Sequence, residues 1–194
     1  AGIVLGNNIG GGNKGRNKVI GAVAGAAIGG AVGYSMDNQA KEVAQSLNTN
    51  VNNNPTAALD PNQDLIVSNT DNYVKIMFRD DMMFETNSEN PTYTAGTKIS
   101  KITTVLQKYP NTLVQVVGHT DSRGTHAYNL VLSEKRATNV GNIINSTGVQ
   151  NQIFSKGCSF DKPIALNNSV ANMGLNRRVE VYLYPNQQSV IDVC

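Results

Sequence analysis

A strand that has to be buried and a helix that carries Arg136 are joined in this chain by only a few residues. Residues 113–117 (LVQVV) form a near-continuous apolar run, the pattern of a strand covered on both faces. Gly118-His119-Thr120-Asp121 comes next, and then a short Ser122-Arg123-Gly124 turn. The spacing predicts a helix from about His126 to Ser146, stopped at Gly148. Such a strand–loop–helix unit puts the Asp121 carboxylate at a strand end and brings Arg136 towards it from the helix. An acid and a base held near each other make a receptor for a zwitterion.

Taken alone, Asp121 reads as a turn residue capping Arg123 or Gly124, or as the cap of the next helix. Arg136 alters that balance. It stands four residues after Leu132 and four before Val140, with Ile144 one step further, so it lies within an apolar helical stripe. An arginine there must find an anion or extend its head to water. Its forked donors match a carboxylate through two parallel hydrogen bonds. An internal Asp121–Arg136 salt bridge would satisfy the same pattern. His119, Asp121 and Ser122 are the right types for catalysis, but no Gly-x-Ser-x-Gly elbow accompanies them, and the reading is of a binding protein and not an enzyme.

The charge balance limits the choice of partner. Charged residues are 15% of the 194, with a formal net charge of +2, which argues against a nucleic-acid surface. Cys158, Cys194, His119 and His126 lack the spacing of a zinc site. Asp80, Asp81 and Glu85 could hold a cation, but the run lacks an EF-hand pattern. No metal or cofactor is expected. The two cysteines fit either one disulfide or two free thiols.

The chain divides by composition. It opens at Ala1 in mid-pattern, as expected where a leader has been removed or where the sequence starts part-way along. Residues 19–36 carry no charge, and Gly21, Gly25, Gly29 and Gly33 recur every fourth residue. They form overlapping GxxxG steps on one helix face, the device by which helices pack in lipid. Residues 1–47 thus read as a glycine-zipper, membrane-associated segment with a polar helical extension over 37–47. Residues 48–64, rich in Asn and Pro, read as a linker. A domain over 65–185 follows, with a tail at 186–194. Within it the patterns predict strands at 73–78, 113–117, 153–155 and 179–184, helices at 97–109 and 126–146, and a long loop over 157–176. The fold class is α+β, in the order β-α-β-α-β-β, with helices covering one face of a small mixed sheet.

At this point the residues amount to a resemblance. Gly118-His119-Thr120-Asp121, Gly124, Tyr128-Asn129, Leu132-Ser133, Arg136-Ala137, Gly148-Val149, Gly157, Lys162-Pro163 and Asn176-Arg177-Arg178-Val179-Glu180 are similar to the OmpA-like C-terminal domain family over about residues 65–185. The zipper ahead of it resembles YiaD-type outer-membrane lipoproteins. The resemblance implies non-covalent binding of peptidoglycan through the diaminopimelate of its stem peptide. Asp121 would then accept the ammonium and Arg136 grip the carboxylate. Thr120, Asn129, Asn87 and Arg177 would complete the contacts, with His119 and Gly118 shaping the loop. A lysine-type stem lacks that carboxylate and would leave Arg136 unpaired. The resemblance further implies an outer-membrane, periplasm-facing setting in a Gram-negative bacterium, and with it a Cys158–Cys194 disulfide. It leaves two roles open, a tether between membrane and wall or the wall-docking subunit of a larger envelope machine. Self-association through the zipper fits either.

Overall fold

The computed structural model describes residues 32–194. Gly21, Gly25 and Gly29 of the zipper lie outside the described residues. Among those described, no helix is long and apolar enough to cross a membrane.

Five strands make one mixed sheet. They are β1 (Leu65–Asn69), β2 (Val74–Arg79), β3 (Leu113–His119), β4 (Ile153–Gly157) and β5 (Arg178–Tyr184). Their order across the sheet is β1-β2-β5-β3-β4, with β3 and β4 parallel and every other pair antiparallel. The helices are α1 (residues 32–46), the single turn α2 (Asp80–Met83), α3 (Tyr93–Lys108), α4 (His126–Ser146) and the short α5 (Val170–Asn176). The expected β-α-β-α-β-β order is therefore present. One strand, β1, is added ahead of it, and α5 occupies the end of the stretch expected to be loop. Leu65–Asn69 is short and abuts the Asn-rich stretch, so its pattern is weak until its hairpin with β2 is formed.

Threonines begin the two long helices. The Thr92 and Thr125 hydroxyls accept from the Ala95 and Tyr128 amides and satisfy donors that a helix start leaves unpaired. Ile99, Ile102 and Leu106 of α3 and Ala137, Val140 and Ile144 of α4 then bury against Ile76, Phe78, Val114, Val116, Val181 and Leu183 of the sheet. The packed core also takes in α1, ahead of the boundary expected at residue 65. Met36, Ala40, Val43, Ala44 and Leu47 recur at helical spacing and are all buried in the same cluster. Burying each of the larger ones contributes about 1.5–3 kcal/mol. The extension read as polar has an apolar face, built in part from alanines.

The opposite sheet face is covered by the C-terminal tail. Val190 and Val193 pack over Val117, Tyr182 and Tyr184. A disulfide joins Cys158, just beyond β4, to Cys194, with the Cα atoms 5.3 Å apart.

Two glycines set the distance between α4 and the sheet. Gly118 and Gly157 are register partners across the parallel β3–β4 pair. A Cβ on Gly118 would stand 2.3 Å from the Ser133 carbonyl oxygen, and one on Gly157 2.4 Å from the Glu134 amide nitrogen. Only glycine lets α4 press this closely on the strand ends, and Arg136 lies less than one turn further along that helix.

Candidate functional site

The strand ends and the α4 face enclose an open cleft of about 380 Å³. Its walls carry three carboxylates, Asp80, Asp81 and Asp121, and three guanidiniums, Arg123, Arg136 and Arg177. Asp80 comes from the turn that ends β2, Asp121 from the loop after β3, Arg136 from α4, and Arg177 from the junction of α5 with β5.

Arg136 is buried, with its guanidinium 4.6 Å over the Phe84 ring. Nε donates to the Ser88 carbonyl at 2.9 Å and Nη1 to Asp80 Oδ1 at 2.5 Å. Its anion is therefore Asp80. The internal Asp121–Arg136 pair that the sequence also allowed is not among the ion pairs of the described residues. Nη2 has no hydrogen-bond partner among them either. Burial pulls the Asp80 carboxyl above its ordinary value, while Arg136 and Arg177 pull it down. Burial likewise lowers Arg136, and Asp80 opposes that.

Asp121 is held from the other side. Oδ1 accepts the Arg123 amide at 2.9 Å, the turn geometry its position suggested. Oδ2 accepts Arg123 Nε at 3.1 Å, Arg123 Nη2 at 2.8 Å and Arg177 Nη1 at 2.8 Å. Burial would raise its pKa, but the bonds from Arg123 and Arg177 outweigh that and hold the carboxyl below the ordinary range. Arg177 Nε also lies 3.8 Å from Asp80 Oδ2, so one guanidinium bridges the two acids.

The other expected positions mostly converge here. Thr120 and Asn87 line the cleft, Asn87 with φ +60°, a conformation that Asn tolerates better than most residues. Asn129 lines it too, but its amide nitrogen is spent on the Arg123 and Thr125 carbonyls, bracing the loop around Gly124.

His119 does not belong to the cleft. Residues along β3 alternate faces. Gly118 meets α4, so His119 points to the tail-covered face, where its Nε2 lies 3.6 Å from Glu180 Oε2. Burial lowers its pKa against the pull of Glu180. It is thus turned away from Ser122 and from Asp121. Asp80 and Arg123 were missed as site residues. Asp80 was singled out in the sequence only for a cation, and Arg123 only as a turn position.

Residues 83–177 match the model of the OmpA family. The chain carries an OmpA-like domain. The matched stretch holds every cleft residue named above except Asp80 and Asp81, which lie just before it. The chain is 35% identical over 103 residues to the Probable lipoprotein YiaD of Escherichia coli (strain K12), covering 53% of this chain and 47% of that one. It is 31% identical over 105 residues to the Peptidoglycan-associated lipoprotein of Rhizobium meliloti (strain 1021), covering 54% and 60%. The chain thus spans less than two thirds of the length of these relatives. Among solved structures, the cell wall anchor of the T6SS from Pseudomonas aeruginosa is similar with a TM-score of 0.58 and 27% identity. That likeness covers 64% of this chain and 90% of that one.

Proposed function

We propose that this chain binds peptidoglycan non-covalently, through the diaminopimelate of an uncrosslinked stem peptide, and so ties the outer membrane to the cell wall. One observation carries the reading: Asp121 and Arg136, from different elements, face one open cleft whose acids and bases balance. Diaminopimelate ends in an ammonium and a carboxylate on one carbon. The ammonium goes to Asp121, and the carboxylate to the Nη2 side of Arg136, with Arg177, Thr120 and Asn87 around them. Likeness to a peptidoglycan-associated lipoprotein, to the lipoprotein YiaD and to an outer membrane porin supports a periplasm-facing place at the outer membrane of a Gram-negative bacterium. Gly21, Gly25, Gly29 and Gly33 would hold the chain at that membrane or to a second copy.

Co-sedimentation with diaminopimelate-type sacculi tests the site. Wild type pellets with the wall, whereas Asp121→Ala and Arg136→Ala lose about tenfold or more in affinity, the scale of a lost charge-assisted contact. If both variants sediment as wild type does, the cleft is not the wall-binding site. A second reading is favoured by the likeness to the T6SS anchor: the domain is the wall-docking subunit of a larger envelope assembly. Stoichiometric co-purification with a membrane complex would select it.

A further inference from the structure

In this structure the Oδ2 oxygen of Asp121 has no room for a further donor. It already takes three, two from Arg123 and one from Arg177. A carboxylate oxygen offers about two lone-pair positions, so Oδ2 is filled, while Oδ1 carries only the Arg123 amide. A ligand ammonium that comes to Oδ2 therefore has to displace a donor already in place.

The two guanidiniums are not equally held. Arg177 is largely buried and tied to Asp80 as well as Asp121. The Arg123 side chain is 63% exposed, and Asp121 is the only carboxylate it reaches among the described residues. The Arg123 end of the pair lies in water, where its own hydration offsets the lost bonds, so releasing it costs on the order of fivefold in affinity. Its backbone amide remains on Oδ1 after the side chain swings out, so the turn that aims Asp121 survives.

We infer that the Arg123 guanidinium is a built-in stand-in for the ligand's ammonium, occupying its place on Asp121 until an ammonium displaces it. This rests on the reading of the cleft as a zwitterion receptor. Arg123 thereby acts as a selectivity residue. Only a ligand that brings its own cation can replace it on Asp121, while an anion without one leaves Arg123 seated and gains only the Arg136 side.

The test is an NMR titration of the full chain with meso-diaminopimelate and with pimelate, which has the same carbon chain and no ammonium. Wild type, Arg123→Gln, Arg123→Lys and Asp121→Asn are compared. Arg123→Gln is expected to bind diaminopimelate about two- to fivefold tighter, and pimelate no tighter than wild type. Arg123→Lys, which keeps a cation, returns towards wild type. If wild type binds diaminopimelate and Asp121→Asn loses it while Arg123→Gln binds equally or more weakly, the stand-in role is overturned and the receptor reading stands. If wild type shows no saturable binding, or Asp121→Asn binds as wild type does, the receptor reading falls and this inference falls with it.

Discussion

Arg136 donates to Asp80 at 2.5 Å, across 56 residues of sequence, and this pair joins the end of β2 to the middle of α4. Both side chains are largely withdrawn from water, at 6% and 11% exposure. A buried pair of this kind adds little over an apolar contact, yet removing one partner strands the other. The pair therefore holds Arg136 in a fixed pose, with Ser88 and Phe84 supporting it from the same loop.

Asp80→Ala should consequently destabilise the fold by about 3 kcal/mol, lowering Tm by about 6–12 °C for a chain of this size. Asp80→Asn keeps the shape and the acceptor oxygen and should lose less. Thermal melts followed by circular dichroism check this. A drop of under about 1 °C in Asp80→Ala would show that Arg136 reaches water and does not depend on Asp80.

Gly118→Ala tests the close approach of α4 to the strand ends. The added methyl would meet the Ser133 carbonyl, which is backbone and cannot rotate away. Overpacking of this kind costs about 1–3 kcal/mol, and any relief has to come from moving α4, which carries Arg136. The expected result is a Tm lower by several degrees together with weaker sacculus binding than stability alone accounts for. Binding equal to wild type at a temperature where the variant is folded would separate helix position from the site.

Much of this could be read from the chain because local patterns decided it. The β3 run, the His126-to-Ser146 bounds of α4 and the apolar stripe around Arg136 are short-range signals, and they put Asp121 and Arg136 on one cleft. What was missed depends on tertiary placement. The partner of Arg136 is distant in sequence, so Asp121, nearer along the chain, was the obvious acid. Arg123 competes for Asp121 from two residues away, but turn residues with long side chains do not announce which way they fold back. His119 was placed by its motif, although strand alternation after Gly118 turns it to the other face. The α1 helix looked polar because its buried face uses Ala40 and Ala44, which carry little hydrophobic signal.

His119 provides the last prediction. Glu180, Arg178 and Lys75 surround it on the tail-covered face. Burial holds its pKa below 6.5, so the unfolded chain takes up a proton on acidification before the folded one does. Its contribution to stability is then present above 6.5 and is lost as pH falls below that value. Glu180 is held well below its ordinary 4.5, with the nearby His119 and the charges of Arg178 and Lys75 outweighing burial, and Asp121 is also depressed. Both therefore contribute stability above their unfolded values that is lost at lower pH, whereas Asp80, raised by burial, works in the opposite sense there. Only His119 of these acts between pH 7.5 and 5.5. Wild-type Tm should fall over that interval, and His119→Gln should flatten the dependence there while keeping the steeper loss below pH 4.5. An unchanged slope in His119→Gln would mean that the imidazole takes up its proton in the folded state, as an ion pair with Glu180.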